Sequence, residues 1–437
     1  GIARAQSQGA PRLAALTQAT DAAPDVLPLR LEQVRAAEAI GEDDQADALL
    51  ARPFDSKTWP RSAQMLTAMR ANAEGDAEAA LTAWQAIADA RPDDAQAQLD
   101  LARAQAAAGQ GDAARARLLA LSKRDPNDPR VWFELGKQSI LAGDAAKAVD
   151  DYLLRAQLLF RRGRDLAGEA ETVNALGVGY GRLGQSKAAE EQYTRAVELR
   201  TQVGNRRGVA TSLRNLSGIA SVRGDFAGAA ARLEQARALY QALGDRGGLA
   251  ATHNEAGLLA EERGDYAQAL QAFRDALQAW QQVGNARGTA QTYNNIGFAN
   301  FQLGDYDSAA AFWQQAASAY RALDDVTGQV RIEQNLGLLA TARGQWQDAA
   351  TRLQSALRTA EAHQMFEEVA VTRRNLAELA YWQGHLAEGL AQADQGATLF
   401  EQRDDQRGRA DVAVLRAQLW LGGGAPARAT AGLGQDG

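Results

Sequence analysis

Large apolar, small and polar residues recur at fixed offsets along most of the chain, and the offsets count from glycine. Gly184, Gly224, Gly264, Gly304, Gly344, Gly384 and Gly424 stand forty residues apart. Upstream, Gly41, Gly75, Gly109 and Gly143 stand thirty-four apart, and Pro92 and Pro126 keep that spacing. Five residues after the glycine comes a small residue: Ala46, Ala80, Ala114, Ala148, Ala189, Ala229, Ala269, Ala309 and Ala349. Nine after it a large apolar residue is common, as at Trp84, Leu118, Tyr152, Tyr193, Leu233, Phe273, Trp313 and Leu353. Eight before it stands an aliphatic residue (Leu176, Leu216, Ile296, Leu336, Leu376) and seven before it a small one (Gly177, Ser217, Gly257, Gly297, Gly337, Ala377). These offsets predict two helices per period joined at the glycine. The helices approach where small residues face one another, and large side chains fill the space beside them. Glycine suits the left-handed position after a helix, and Asp225, Asp265 or Asp305 next to it suits the N-cap of the second helix. An internal period of this length marks a solenoid.

The pattern resembles the tetratricopeptide repeat family over residues 24–430. The first repeats resemble the thirty-four-residue form. The later ones resemble the longer form of kinesin light chains, polarity adaptors and bacterial peptide-sensing regulators, with wider turns reading GNRRG at 204–208, GDRGG at 244–248, GNARG at 284–288 and DDVTG at 324–328. The resemblance implies an all-α fold: a right-handed superhelical solenoid of antiparallel helix pairs, about ten to eleven repeats long. The expected organisation is a leading helix or frayed segment over 1–23, thirty-four-residue repeats over 24–160, and forty-residue repeats over 161–437 with the last incomplete. The period changes between Gly143 and Gly184, which are forty-one apart. Two departures stand out. QMFEE at 364–368 leaves room for the helix to run on through the turn, and Gly389 replaces the usual alanine.

Composition agrees with helices. Only nine prolines occur in 437 residues. The net charge of −7, with mixed signs, argues against a nucleic-acid surface, which needs a basic stripe. The absence of cysteine excludes disulfides and thiolate chemistry and leaves cytoplasm and periplasm both open. No uncharged apolar run is long enough to span a bilayer, and no signal peptide is visible. The chain opens GIARAQSQGA, without Met, so the expectation is a piece of something longer, with any membrane tether upstream.

The search for chemistry is mostly negative. His253, His363 and His385 share no metal-ligand spacing, and neither a phosphate-binding loop nor a GxSxG elbow occurs. No cofactor and no catalytic residue is expected. The informative columns lie on first helices, which line the concave face in the family. By that resemblance the binding candidates are Asn254, Asn294, Asn295, Phe298, Phe301, Arg331, Asn335, Leu338, Arg374, Asn375, Tyr381 and Trp382. In related adaptors an asparagine here binds the main chain of an extended peptide, for which an amide offers both donor and acceptor. The competing reading is that these amides satisfy neighbouring helices and that superhelical twist buries the aromatics. The function expected is a non-enzymatic scaffold that captures a protein or peptide segment, as the sensory or interaction region of a larger bacterial signalling protein beside a kinase or transcription regulator. The alternative is a regulatory switch that binds a small peptide or metabolite. An enzyme ranks last.

Overall fold

The computed structural model describes residues 9–402 and 406–429. Residues 1–8 of the expected leading segment and the end of the last repeat lie outside the described residues. Helices account for nearly all of what is described, and no strand occurs among the described residues. By packing, the chain forms two compact units, Gly1–Gly248 and Leu249–Gly437. The division falls inside the run of forty-residue repeats.

The first unit holds α1 (Ala10–Ala22), α2 (Leu27–Glu38), α3 (Asp43–Ala51), α4 (Pro60–Ala73), α5 (Ala77–Ala90), α6 (Ala95–Ala107), α7 (Gly111–Arg124) and α8 (Pro129–Leu141). It continues with α9, made of Ala145–Lys147, a π-helical stretch Ala148–Leu153 and Leu154–Arg162, and then α10 (Leu166–Arg182), α11 (Ser186–Val203), α12 (Arg206–Val222) and α13 (Phe226–Leu243). α14 (Arg246–Glu262) lies mostly in the second unit, followed by α15 (Tyr266–Gln282), α16 (Ala286–Gln302), α17 (Tyr306–Ala322), α18 (Val326–Ala342) and α19 (Trp346–Ala362). α20 (Phe366–Trp382), α21 (Leu386–Gln402) and α22 (Gln406–Gly422) complete it.

The α16–α17 pair shows why these residues form these elements. Just past the end of α16 stands Gly304, whose φ of 80° is left-handed. The Asp305 carboxylate then accepts from the Ser308 amide at 3.1 Å and starts α17. Gly297 on α16 is the socket and Trp313 on α17 the knob: a Cβ added at Gly297 would lie 2.5 Å from the indole. Ala309 and Trp313 are both fully buried. The same knob and socket pair Tyr193 with Gly177 and Leu353 with Gly337. Every glycine of the two ladders has positive φ.

A second socket lies between repeats. Gly288 faces Trp280 across the wider turn, with an added Cβ 2.6 Å from the ring, and Gly248, Gly328 and Gly408 face Tyr240, Tyr320 and Phe400 in the same way. Six wider turns among the described residues share a left-handed residue, which is Gly204, Gly244 and Gly284 in three of them and Arg164, Asp324 and Gln364 in the other three.

Two expectations need correction. The helix does not run on through 364–368: α19 stops at Ala362, Gln364 turns left-handed with φ 54°, and the Met365 amide bonds back to the Ala360 carbonyl at 2.8 Å. That bond closes the turn although Gln364 is not glycine. In the repeat after Gly143 the knob is Leu153, not Tyr152. Leu153 meets the Gly136 socket, while Tyr152 stacks on Trp132 with ring centroids 6.2 Å apart. The π-helical stretch Ala148–Leu153 takes up the extra residue of the forty-one-residue spacing, and the register recovers at Leu153.

Within the first unit the start of the chain returns to a later repeat. Gly9 lies against the Val203 carbonyl and Gly41 against the Asn205 side chain. Arg207 pairs with Asp43 and, at 2.9 Å, with Asp245.

Candidate binding surface

In the second unit α16, α18, α20 and α22 stand side by side as consecutive first helices. Their common face carries most of the residues singled out from the sequence. The asparagines bond to one another between repeats. Asn295 Nδ2 donates to Asn254 Oδ1 at 3.0 Å, and Asn335 Nδ2 donates to Asn294 Oδ1 at 2.7 Å. Asn295 and Asn375 are buried, and Asn375 Oδ1 accepts from Arg374 at 3.0 Å. The two asparagine–asparagine bonds cross between neighbouring first helices, whereas that of Asn375 stays within its own helix.

The aromatics divide. Phe298 and Phe301 are half-buried against the cluster around Trp313, and the Phe301 ring lies 5.8 Å from that indole and 5.5 Å from Tyr306. Leu338 is half-buried. Tyr381 packs on the cluster around Phe400 and meets Trp382 edge-on at 5.4 Å. Trp382 is 60% exposed, the most open of these side chains.

The two arginines are paired. Arg331 Nε donates to Glu368 Oε1 at 2.7 Å. Burial works against its charge, but Glu368 outweighs burial and holds the guanidinium above its usual range. Arg374 reaches Asp411 on α22 at 3.1 Å.

Sequence reasoning missed three partners on this face: Asp411, Glu368 and Gln334. Gln334 is buried and donates to the Glu368 carbonyl at 3.0 Å and to Thr372 Oγ1 at 2.8 Å. A signal for Glu368 did exist. It occupies the column of Gly248, Gly288 and Gly328, and Ala360 occupies that of Tyr240, Trp280 and Tyr320. Loss of the aromatic knob leaves room for a side chain in its socket, and the chain places a carboxylate there.

The first unit has buried carboxylates, Asp100 and Glu134, with cationic partners that no sequence column announced. Arg103 donates to Glu134 at 2.8 Å and to Asp100 at 3.3 Å, Lys137 also reaches Glu134 at 3.1 Å, and Arg35 lies 3.6 Å from Asp100. Burial raises the Asp100 carboxyl, while at Glu134 the neighbouring Arg103 and Lys137 outweigh burial and lower it. Glu38 on α2 is pushed up to about 7, first by burial and then by Asp100 and Asp43, with Arg35 and Arg103 opposing. Among the described residues no group of histidines and carboxylates could hold a metal ion, and no helix is long and apolar enough to cross a membrane.

These paired helices, with glycine-centred knobs and sockets at periods of thirty-four and forty, define a repeat scaffold. The tetratricopeptide repeat model matches residues 71–134 and, in overlapping windows, 168–242, 208–282, 248–322 and 288–362. More than half of the chain is matched, and the chain belongs to the tetratricopeptide repeat family. No curated protein matches it significantly. Among solved structures it is similar to aspartyl phosphate phosphatase F from Bacillus subtilis, at 13% identity over 77% of this chain and 91% of that one, with a TM-score of 0.56. It is also similar to the apo form of RapI, at 14% identity over 64% of this chain and 99% of that one, with a TM-score of 0.53. A Rap protein complexed with Competence and Sporulation Factor aligns at 13% identity over 86% of this chain and 99% of that one, with a TM-score of 0.52. At these identities the likeness is one of fold.

Proposed function

We propose that the face formed by α16, α18, α20 and α22 captures an extended protein or peptide segment, and that the chain is a non-enzymatic interaction module of a bacterial signalling protein. The observation that supports this most is Trp382. Its indole stands 60% exposed beside Tyr381, on a face whose other polar groups largely satisfy one another. An open aromatic on a helix that also carries an arginine, here Arg374, has the composition of a binding hot spot. Family membership supports the same reading, and a Rap protein of this fold is described in complex with a factor.

The structure guides the choice of test. Replacing Arg331 would strand the buried Glu368, and replacing Phe301 would disturb the packing on Trp313, so both would report on stability. Trp382→Ser has neither fault. Peptides selected from a random display library on the immobilised chain should lose about 2 kcal/mol of binding to Trp382→Ser, while its melting temperature stays within about 2 °C of wild type. Peptides that bind Trp382→Ser and Arg374→Ala as tightly as wild type would overturn the assignment.

A further inference from the structure

The first unit contains a cavity of about 490 Å³ that its repeat packing does not require. It lies where α1 and α2 meet α6, α8, α9 and α10, so its walls come from segments far apart in sequence. Its apolar lining includes Ile40, Phe133 and Phe160, and its basic lining consists of Arg12, Arg103 and Arg130.

An inventory of the polar atoms gives the site a sign. The carboxylates in the wall are already engaged: Asp165 Oδ1 accepts from the Gly168 amide at 2.9 Å, and both oxygens of Glu171 accept from Arg200 at 2.8 Å. Arg130 is taken up by Asp128 and Gln96. Arg12 gives Nη2 to Glu32 at 3.0 Å, but its Nε is buried without a hydrogen-bond partner. Arg103 uses Nε on Glu134 and Nη1 on Asp100, and among the described residues its Nη2 carries no hydrogen bond. The spare capacity is therefore donor capacity on cations: a buried one on Arg12 and a solvent-accessible one on Arg103. A buried donor without a partner is costly, and an anion is the ligand that satisfies donors on charged groups best. The volume falls within the range of small-molecule sites.

We infer that this cavity binds a small organic carboxylate with an apolar body, its carboxylate on Arg12 and Arg103 and its body against Phe133 and Phe160. Such a ligand would join the start of the chain to the repeats around residues 103–168, so binding would also reinforce the packing of the first unit on itself.

Benzoate, phenylacetate and 3-phenylpropionate serve as probes, each with its neutral primary amide as control, in calorimetry and thermal-shift measurements on the whole chain. At least one acid should bind saturably and raise the melting temperature, and its amide should bind at least about tenfold more weakly. Arg12→Gln removes the spare donor at a partly exposed position. Ala39→Trp fills the cavity and leaves every charge in place. Each should abolish or weaken binding by about tenfold or more, with wild-type circular dichroism. Failure of all three acids to bind saturably at millimolar concentration would overturn the inference. So would amides that bind as well as their acids, or wild-type affinity in either variant. The Trp382→Ser variant should bind the acid normally, so this site and the face on the second unit stand or fall separately.

Discussion

At the scale of single residues the repeat depends on a few steric complementarities. Gly288 exists because Trp280 occupies the place of its Cβ. Gly288→Ala should destabilise the chain by about 1–3 kcal/mol, the usual cost of overpacking, measurable by urea denaturation. Ala360 and Glu368 are the exchanged version of that pair. Ala360→Tyr alone meets an occupied socket, and Glu368→Gly alone strands Arg331. Together they recreate the pairing of Tyr320 with Gly328, so the double variant should lose less stability than the sum of the singles, by at least about 0.5 kcal/mol. Strict additivity would show that the two positions are not partners. Glu38 supplies the pH dependence. Its pKa rises from 4.5 to about 7 on folding, so between these values the native state holds more protons than the unfolded state, and stability falls as pH rises. Glu38 keeps an exposed face, so solvent screening reduces the effect. Glu38→Gln should flatten the decline between pH 5 and 7 and leave the variant more stable than wild type at pH 8, as read from melting temperatures. A steeper decline in the variant would reverse the assignment.

At the scale of elements, helix ends and helix pairing were legible in the sequence, because both rest on local chemistry. Ladder glycines take positive φ, and Asp225, Asp265 and Asp305 cap the helices that follow. Asp265→Ala should cost about 1 kcal/mol through loss of the bond to the Gln268 amide. The π-helical turn was only half legible. The forty-one-residue spacing announced one residue too many, but not where it is absorbed. Asp150 and Asp151 are the exposed residues inside the wide turn. Deleting Asp151 should convert it to an α-helical turn and restore the spacing of nine between Gly143 and Leu153, with little change in melting temperature. Deleting Gln235, in the regular helix α13, should rotate everything after it by about 100° and lower the melting temperature sharply. Equal effects of the two deletions would show that the wide turn is not where the extra residue resides.

At the scale of the whole molecule, periodicity carried the family and the fold, whereas side-chain partnerships across repeats were hidden. Column positions locate Asn294 and Arg331 on first helices, but whether each faces a ligand or a neighbour depends on residues about forty positions away. The ion pair of Arg207 with Asp43 is the extreme case: it spans 164 residues, a distance over which no period in the sequence is informative. A chain that depends on nearest-neighbour interfaces should also lose structure locally. Hydrogen exchange in Gly288→Ala should rise first in α15 and α16 and leave α6 and α7 protected. Uniform loss of protection would mean that the chain unfolds as one cooperative block.

The bond from one asparagine to the next has a direction: Asn295 and Asn335 each donate to an asparagine of the repeat before. A copy of residues 265–304 inserted after Gly304 would meet its native neighbour α17 at its trailing end, and at its leading end would place its own Phe273 knob in the Gly297 socket that Trp313 fills in the native chain. The array can therefore lengthen by gene duplication in steps of one period, with one knob exchanged for another of the same column at the new junction. Duplications of any other length would leave amides, knobs and sockets facing the wrong way. Natural variation in length among descendants of such a chain should come in multiples of forty residues.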